Sequence, residues 1–374
     1  MKILYTATVL SHICQFHLPH LQMLQAQGHE IHVAAHDNLS EKNGLQLQYC
    51  DKFIETPFCR SPLSRGNWKA YRQLRALLAK EHYDVILCNT PSGGVVTRLA
   101  ARKTRKNGTK VIYMAHGFHF CKGSSKKSWL LYYPIEKLLA PLCDVLVTIN
   151  EEDAALAGEK FRPGRVEHIH GVGVRTDRYH PASAEERTAL RSQEGLAPED
   201  FVILCTGELN ENKDQATLLS AAAMLRRSIP HLRILLAGNG PKEAELKAQI
   251  ARDKLEEAVT LLGYRTDLQK VVPAADLVVS CSHREGLPLN IVEAMLCEKP
   301  VVATHNRGHD ELIREGVNGY LVAAGDAGDM AEKIARVYVD VAAARQMGAH
   351  GYSIAQTYTV DSVKKEMEQI FASV

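Results

Sequence analysis

The sequence predicts an α/β protein of two domains, each built on a doubly wound parallel sheet. Short β-branched runs alternate with helix-length amphipathic stretches along the chain, a pattern typical of parallel sheets covered by helices. The length of 374 residues suits two domains. Hydrophobic residues make up 45% and charged residues 24%, which is typical of a folded protein.

The strand candidates form one set in each half of the chain. In the first half they are KILYTA, HEIHVAA, YDVILC, KVIYMAH and DVLVTIN. In the second half they are FVILCTG, LRILLAG, VTLLG, DLVVSC and PVVATH. The Gly-, Pro- and Ser-rich stretch 168–186 has no long periodic segment and predicts a hinge near residues 171–183. After GYLVAAGD the chain is predicted to be helical to its last residue.

Charge, cysteines and hydropathy exclude several classes of protein. The formal net charge of +2 gives no argument for nucleic acid, and no nucleic-acid partner is predicted. Nine cysteines without a CxxC pattern lie mostly in apolar runs and predict free, buried thiols in a reducing cytoplasm. No apolar segment reaches about 18 residues, so no membrane-spanning helix is predicted. The first residues are interpreted as a core strand rather than a signal peptide.

The segment SHREGLPLNIVEA, residues 282–294, is predicted to join a strand to an amphipathic helix. Pro288 suits the first turn of a helix, and LNIVEAMLC has apolar residues at helical spacing. The backbone N–H groups near Gly286 then lie at a helix N-terminus, where a diphosphate is favoured.

Glu285 and Glu293 flank this corner. Beside a bound phosphate two carboxylates would be repulsive, unless they accept hydrogen bonds from a ligand rich in hydroxyl groups. A sugar nucleotide fits that requirement, with one glutamate on each sugar. A capping carboxylate and a surface glutamate explain the pattern equally well.

Several motifs together resemble one family. EGLPLNIVEAM, KPVVAT and GVNGYLV are similar to the nucleotide-sugar-binding domain of the family 4 retaining glycosyltransferases, whose signature is two glutamates separated by seven residues. YMAHGFHF, WLLYYPIEKLLA and GELNENKDQ resemble the branch of that family found in capsular and exopolysaccharide synthesis. The resemblance covers essentially the whole chain.

The resemblance implies the GT-B fold, with two Rossmann-like doubly wound domains facing across a cleft. Residues 1–175 would form the N-terminal acceptor-binding domain, and residues 176–355 the C-terminal nucleotide-sugar-binding domain. Residues 356–374 would form a C-terminal helix that crosses back to the N-terminal domain.

The resemblance also implies roles for residues of the donor site. Glu285 would lie beside the donor hexose, and Glu293 would bind the ribose hydroxyl groups. The remaining donor-binding candidates are loop and helix-start residues of the second half: Gly207, Lys213, Asn239, Tyr264, Arg265, Gly286, Leu287, Pro288 and Leu289.

Lys213 is the predicted phosphate cation, although a solvated surface lysine is the ordinary alternative. Many relatives carry an arginine just after the first glycine of GELNENKDQ, and this sequence has Glu208 there. One cation of the diphosphate site is therefore missing unless Arg265, Arg284 or Arg307 replaces it.

Histidines supply the candidates in the first half. In relatives the histidine at the position of His116 lies near the donor sugar, so His116 is predicted to be catalytic, with His119 close by. His12 and His17, in the first strand-to-helix loop, are predicted to face the acceptor, and a core role for one of them is an open alternative.

The stretch 121–142 places three lysines before an aromatic and aliphatic helix. An ordinary core helix with a solvated entry loop explains this pattern. Contact with a membrane surface is the functional alternative, because lysines with Trp and Tyr suit the level of lipid headgroups. The residues concerned are Lys122, Lys126, Lys127 and Trp129.

The sequence has no Asp-x-Asp, HExxH or clustered His/Cys set, so no metal site and no cofactor are predicted. The function predicted is a metal-independent, retaining hexosyl- or N-acetylhexosaminyltransferase in cell-surface polysaccharide synthesis. Its donor would be a nucleotide diphosphate sugar, UDP-linked, and its acceptor a saccharide, expected to be lipid-linked. The protein would be cytoplasmic, in peripheral contact with the membrane. A GT-B sugar-nucleotide epimerase and a catalytically weak subunit of a transferase complex are the alternatives.

Overall fold

A computed structural model describes residues 1–41, 44–61 and 64–374. The chain divides into two compact units. The first unit contains Met1–Gly173 and Val360–Val374, and the second contains Val174–Thr359. The division after residue 173 lies inside the predicted hinge. The domain limits expected from the resemblance, after residues 175 and 355, lie within a few residues of the two points at which the chain passes from one unit to the other.

The first unit is built on a seven-stranded parallel sheet in the order β3-β2-β1-β4-β5-β6-β7. Its strands are β1 (Lys2–Val9), β2 (Glu30–His36), β3 (Lys52–Glu55), β4 (Val85–Asn89), β5 (Lys110–Ala115), β6 (Val145–Thr148) and β7 (Arg165–His168). Its helices are α1 (Leu10–Phe16), α2 (Leu18–Ala26), α3 (Arg65–Lys80), α4 (Pro91–Ala101), α5 (Lys126–Leu139), α6 (Glu151–Lys160) and the last helix of the chain, α15 (Val360–Ala372).

The second unit is built on a six-stranded parallel sheet in the order β10-β9-β8-β11-β12-β13. Its strands are β8 (Phe201–Thr206), β9 (Leu232–Ala237), β10 (Val259–Gly263), β11 (Leu277–Ser280), β12 (Val301–Thr304) and β13 (Gly319–Val322). Its helices are α7 (Ala184–Gln193), α8 (Gln215–Leu225), α9 (Glu243–Arg252), α10 (Leu268–Val271), α11 (Leu289–Leu296), α12 (Arg307–Leu312), α13 (Ala327–Val339) and α14 (Val341–Ala355).

The predicted fold class is confirmed, and the sheets are larger than the sequence pattern indicated. The strands that it missed are β3, β7 and β13, and each lies at the edge of its sheet. An edge strand has no long buried apolar run, since its residues are partly exposed. The central strands, by contrast, are buried on both faces and read as continuous apolar runs.

The last helix belongs to the first unit. Val363, Met367 and Phe371 of α15 are buried. Glu366 accepts hydrogen bonds from His170, from the backbone N at 2.9 Å and from Nδ1 at 2.6 Å. The expected return of the C-terminal helix to the N-terminal domain is therefore present.

All nine cysteines are free, and only Cys50 and Cys59 are not fully buried. Across the described residues, no helix is both long enough and apolar enough to span a membrane.

Candidate active site

Each sheet has one point at which its strand order reverses, and chemistry-bearing residues gather there. In the second unit the reversal lies between β8 and β11. In doubly wound sheets ligands bind at the carboxyl ends of the strands at such a switch point. The loop after β8 carries Lys213, and the loop after β11 carries Glu285. Lys213 Nζ lies 2.6 Å from Glu285 Oε1, so an ion pair bridges the switch point.

Glycines allow the loop of Lys213 to lie close to its neighbours. Gly207 has φ +142°, and a Cβ there would stand only 3.1 Å from Cε of Lys213. A Cβ on Gly238 would collide with the carbonyl oxygen of Gly207, and one on Gly240 with the carbonyl of Leu209. The predicted loops after β8 and β9 therefore meet through backbone contacts that side chains would prevent.

The loop of Glu285 is held by the start of α12. Arg307 Nε donates to the Glu285 carbonyl at 3.1 Å, and Asn306 Nδ2 donates to the Ser282 carbonyl at 2.8 Å. A Cβ on Gly308 would lie 3.0 Å from both Glu285 Cβ and the Gly286 carbonyl. Arg307, one of the replacement cations suggested by the sequence, thus lies in direct contact with the predicted donor loop.

The corner at 285–289 has the predicted strand-to-helix form. Pro288 is the N-cap of α11, which begins at Leu289, one residue later than the sequence pattern indicated. Leu287 and Pro288 are buried, whereas Gly286 and Leu289 are partly exposed. The unpaired N–H groups of the first turn and their dipole favour an anion at this end of the helix.

Glu293 lies one turn into α11 and faces two residues that the sequence did not single out. Its carboxyl accepts a hydrogen bond from Tyr179, and Arg178 lies close enough to act on its charge. Burial nevertheless raises the pKa of Glu293 to about 7. The carboxyl is therefore poised between its two charge states near neutral pH. Arg178 and Tyr179 lie in the polar segment that was interpreted only as a hinge, which gave no signal of a site.

The second-rank donor candidates have different surroundings. Arg265 forms bidentate ion pairs with Glu194, at 2.8 and 3.0 Å, and with Asp267, at 2.7 and 3.0 Å. Its charge is thus paired with two carboxylates, and its role in binding the donor sugar nucleotide stays a prediction. Tyr264 is exposed, and the Asn239 carbonyl accepts from Leu209 N at 2.9 Å.

Glu208, at the position where many relatives carry arginine, is exposed. Its carboxylate accepts from Asn210 Nδ2 at 2.9 Å, and Asn210 Oδ1 accepts from Lys213 N at 3.0 Å. Arg284 is also exposed, and its carbonyl accepts from Asn212 Nδ2 at 3.0 Å. Of the three arginines suggested as replacements, Arg307 has a guanidinium that donates to the Glu285 carbonyl.

In the first unit the switch point lies between β1 and β4, and His116 follows the adjacent strand β5. His116 Nε2 lies 3.1 Å from Asn89 Oδ1, while Asn89 Nδ2 donates to the Thr6 carbonyl at 3.3 Å. The second contact fixes the amide so that its oxygen faces the ring. Asn89 was not predicted, because an asparagine that ends an apolar strand has no distinctive sequence pattern.

His12, in α1, and His17, just after it, lie against His116. The ring centroids of His12 and His116 are 4.4 Å apart, and those of His17 and His116 are 5.2 Å apart. One nitrogen from each ring can be chosen so that all three lie within 4.8 Å of one another. The sequence has no clustered ligand set, and it is the fold that brings together histidines from two distant segments. These are the described residues that could hold a metal.

A cavity of about 330 Å³ opens beside this cluster. Its lining includes His12, His119, Thr90 and Arg60, together with Tyr132 and Ile135 of α5. Thr90 has φ +65°, which is strained for a β-branched residue, and its hydroxyl lies 2.7 Å from that of Thr8. Arg60 places a positive charge at this cavity, and no sequence motif pointed to it.

Helix α5 has one face inward and one apolar face outward. Trp129, Tyr132 and Tyr133 pack against the core of the first unit, and Trp129 Nε1 donates to the Cys121 carbonyl at 3.3 Å. Trp129, which the membrane alternative named, is thus partly buried, and its contact with lipid stays a prediction. Leu130 and Leu138 take the outward positions, at 81% and 76% exposure. Lys122, Lys126 and Lys127 are all exposed at the same end of the helix.

Family models match both units of the chain. The model described as "Glycosyltransferase Family 4" matches residues 20–178, and the one described as "Glycosyl transferases group 1" matches residues 186–354.

Two curated relatives extend over most of the chain. "Putative glycosyltransferase EpsD" of Bacillus subtilis (strain 168) is 42% identical over 373 residues, covering 100% of this chain and 96% of that protein. The UDP-Gal:alpha-D-GlcNAc-diphosphoundecaprenol alpha-1,3-galactosyltransferase of Escherichia coli is 26% identical over 312 residues, covering 81% of this chain and 79% of its own length.

Solved structures share the architecture. Anabaena Alr3699/HepE in complex with UDP-glucose aligns with a TM-score of 0.79 at 23% identity, over 100% of both chains. Sucrose-phosphate synthase from Thermosynechococcus elongatus aligns with a TM-score of 0.80 at 20% identity, over 100% of this chain and 98% of that one. At these identities the likeness establishes the fold, which is GT-B.

Proposed function

The chain belongs to glycosyltransferase family 4, and from this premise we propose that it transfers a hexosyl or N-acetylhexosaminyl unit from a UDP-sugar to a lipid-linked saccharide. The transfer retains the configuration at the anomeric carbon and serves cell-surface polysaccharide synthesis. The observation that carries the proposal is the Lys213–Glu285 pair at the switch point, beside the N-terminus of α11.

The diphosphate of the donor fits the positive end of this arrangement. Lys213, Arg307 and the N–H groups at the start of α11 supply positive charge without a metal ion. As the bond to the sugar breaks, negative charge grows on the leaving phosphate, and donors already in place stabilise it without reorganisation. Glu285 Oε1 lies 2.6 Å from Lys213 Nζ, and its negative charge stabilises the positive charge that develops on the sugar.

Glu285 acts by position and charge rather than as a covalent nucleophile. The acceptor hydroxyl attacks the face that the phosphate leaves, and the departing phosphate assists its deprotonation. His116, held by Asn89, lies near the donor sugar in this proposal and polarises its hydroxyl groups. Glu293 accepts hydrogen bonds from the ribose.

Two features of the first unit support a lipid-linked acceptor. The cavity lined by Arg60 and Thr90 offers a cation and hydroxyl groups to a saccharide diphosphate. Helix α5 borders that cavity with Tyr132 and Ile135, while Leu130 and Leu138 are exposed on its outer face. A lipid surface on the outer face would thus lie next to the pocket for the saccharide. The curated relative from E. coli, whose name specifies a diphosphoundecaprenol-linked acceptor, supports the same choice.

The test is incubation of the purified protein with radiolabelled UDP-glucose, UDP-galactose, UDP-N-acetylglucosamine and UDP-N-acetylgalactosamine. Each donor is supplied with and without a bacterial lipid extract, and label in the lipid phase is measured. We expect lipid-dependent transfer from one donor, with an α-linked product. An altered nucleotide sugar formed without lipid would identify an epimerase instead. No reaction, together with donor binding, would identify a catalytically weak subunit.

A further inference from the structure

Three histidine rings converge at the carboxyl edge of the first sheet, from segments far apart in the sequence. His12 and His17 come from the α1 region, and His116 follows β5. The ring centroids of His12 and His17 lie 5.3 Å apart, and the candidate ligand nitrogens of all three rings lie within 4.8 Å of one another. Such an arrangement is a first requirement for a metal site.

Three buried ring nitrogens of this cluster have no hydrogen-bond partner among the described residues. Within residues 1–41, 44–61 and 64–374, His12 Nε2 and both ring nitrogens of His17 are buried without a partner. An unpaired buried polar group destabilises the fold, because it has lost its hydrogen bonds to water. Three such atoms at one point are an unusual cost unless a ligand satisfies them. A cation that accepts lone pairs from several rings would do so.

The rings are also in the state that a metal requires. A metal binds neutral imidazole, and burial lowers the pKa of His12 to about 4 and that of His17 well below its usual value. Among the described side chains, no carboxylate pairs with any of the three rings, so nothing nearby favours their protonation.

Asn89 orients His116 for binding. Because Asn89 Nδ2 donates to the Thr6 carbonyl, Asn89 Oδ1 accepts from His116 Nε2, and the lone pair of His116 then lies on Nδ1. Histidines that bind metals commonly donate their other ring N–H to an oxygen acceptor in this way. His12 also lines the cavity described above, which supplies a path of entry.

We propose that His12, His17 and His116 bind one divalent transition-metal ion, with Zn²⁺ the best match. Three imidazoles with a fourth position open to water or ligand are a common zinc set. Tetrahedral Zn²⁺ with Zn–N bonds of about 2.0–2.1 Å needs nitrogens about 3.3 Å apart, so the rings must draw closer than their present spacing of up to 4.8 Å when the ion binds. The inference does not rest on the proposed transfer reaction, although the two share His116. If both hold, metal on His116 removes that ring from the donor sugar, and Zn²⁺ inhibits transfer.

The test uses the untagged full-length protein, stripped with a chelator and then titrated with Zn²⁺ against a chromophoric chelator. Co²⁺ is titrated separately, and its visible absorption reports the coordination geometry. We expect one ion per chain and a tetrahedral-type Co²⁺ spectrum. The variants His12→Phe and His116→Phe should weaken binding at least about 100-fold, and Asn89→Leu about 10-fold. The matched control His82→Phe, at an exposed histidine, should leave binding unchanged.

Thermal melts separate a metal site from a merely structural cluster. Zn²⁺ should raise the Tm of the wild type and of the control but not that of His12→Phe. Residue His12 is partly exposed, so this variant is informative even if a change at fully buried His17 prevents folding. The proposal is overturned if the wild type shows no saturable binding. It is also overturned if His12→Phe and His116→Phe bind Zn²⁺ with wild-type affinity, since the ion would then lie elsewhere.

Discussion

The switch points of the two sheets have the same topology, but charged side chains gather at one and uncharged histidines at the other. In the second unit the site is charged, with Lys213 paired to Glu285 and Arg307 against the same loop. In the first unit it is a set of neutral, desolvated histidines beside a cavity. The charged loops suit the diphosphate of a nucleotide sugar, the neutral rings suit a metal, and Arg60 at the neighbouring cavity suits the diphosphate of a lipid-linked saccharide. The architecture thus fixes where ligands bind, and the loop residues decide which ligands they are.

The largest effect is expected from the charge of the second switch point. Lys213→Ala removes the cation that we propose stabilises the leaving phosphate, and should lower kcat about 10²- to 10³-fold. The matched control is Lys242→Ala, which removes a surface lysine paired with Glu211 and Glu245. Steady-state transfer from the preferred UDP-sugar measures both. A loss of similar size in the control would show that the effect is general to the unit and not particular to the switch point.

The next largest effect is expected in binding to lipid vesicles, which we assign to the first unit alone. Lys122/Lys126/Lys127→Ser should weaken binding to anionic liposomes about 100-fold, since each basic residue contributes about 1 kcal/mol near an anionic surface. Leu130→Ser with Leu138→Ser should weaken binding to neutral and anionic vesicles alike. Co-sedimentation at low and high salt is the measurement, because the lysine contribution is screened over about 8 Å at physiological salt.

The matched control for that experiment lies in the second unit. Lys247, Lys254 and Lys270 are exposed there, and their triple Ser variant should bind vesicles as the wild type does. Binding that ignores lipid charge, salt and the first-unit substitutions would return α5 to the interpretation of an ordinary core helix.

The two glutamates of the second unit should affect different kinetic constants. Glu293→Ala should raise the KM for the donor, because bonds to a charged group are worth about 1.5–3 kcal/mol, or about 10- to 150-fold. Glu285→Gln should act mainly on kcat, since its contact strengthens as positive charge develops on the sugar. Glu298→Ala, near the end of the same helix, is the control. Equal changes in both constants from both variants would reverse these assignments.

A smaller effect follows from the pKa of Glu293, raised by burial to about 7. The folded state binds this proton more tightly than the unfolded state, so ionisation costs stability as the pH rises from about 4.5 to about 7. Ribose hydroxyl groups require the ionised form. The Kd for UDP-glucose should therefore rise up to about tenfold for each pH unit below 7. Titration calorimetry at several pH values below 7 measures this Kd. The profile of Glu293→Gln should be flat, and an unchanged slope would refute the link.

The smallest effect is expected from chelation. In the proposed mechanism Lys213, Arg307 and a helix N-terminus neutralise the diphosphate. EDTA should therefore leave the transfer rate unchanged, or raise it where the proposed metal is removed from His116. Activity that EDTA abolishes and that Mg²⁺ or Mn²⁺ restores would contradict the proposed diphosphate site.

The parts that the sequence predicted are those with local patterns. The buried central strands, helix α11 and the corner at Glu285 all have signals within a dozen residues. The parts that it missed depend on long-range contacts: the edge strands β3, β7 and β13, the partner Tyr179 of Glu293, and the cluster of His12 with His116. No spacing rule relates a histidine in the first helix to one after the fifth strand. Only the order of strands in the sheet brings the two together.

The discontinuity of the first unit has a consequence for synthesis of the protein. The second unit is one unbroken segment, Val174–Thr359, whereas the first lacks α15 until residues 360–374 have been made. Domains generally fold as units during translation. On the ribosome the second unit therefore has its whole sequence before the first does, and folding is completed in the reverse of chain order. Until α15 emerges, the apolar surface that receives Val363, Met367 and Phe371 is uncovered and open to chaperones and to aggregation.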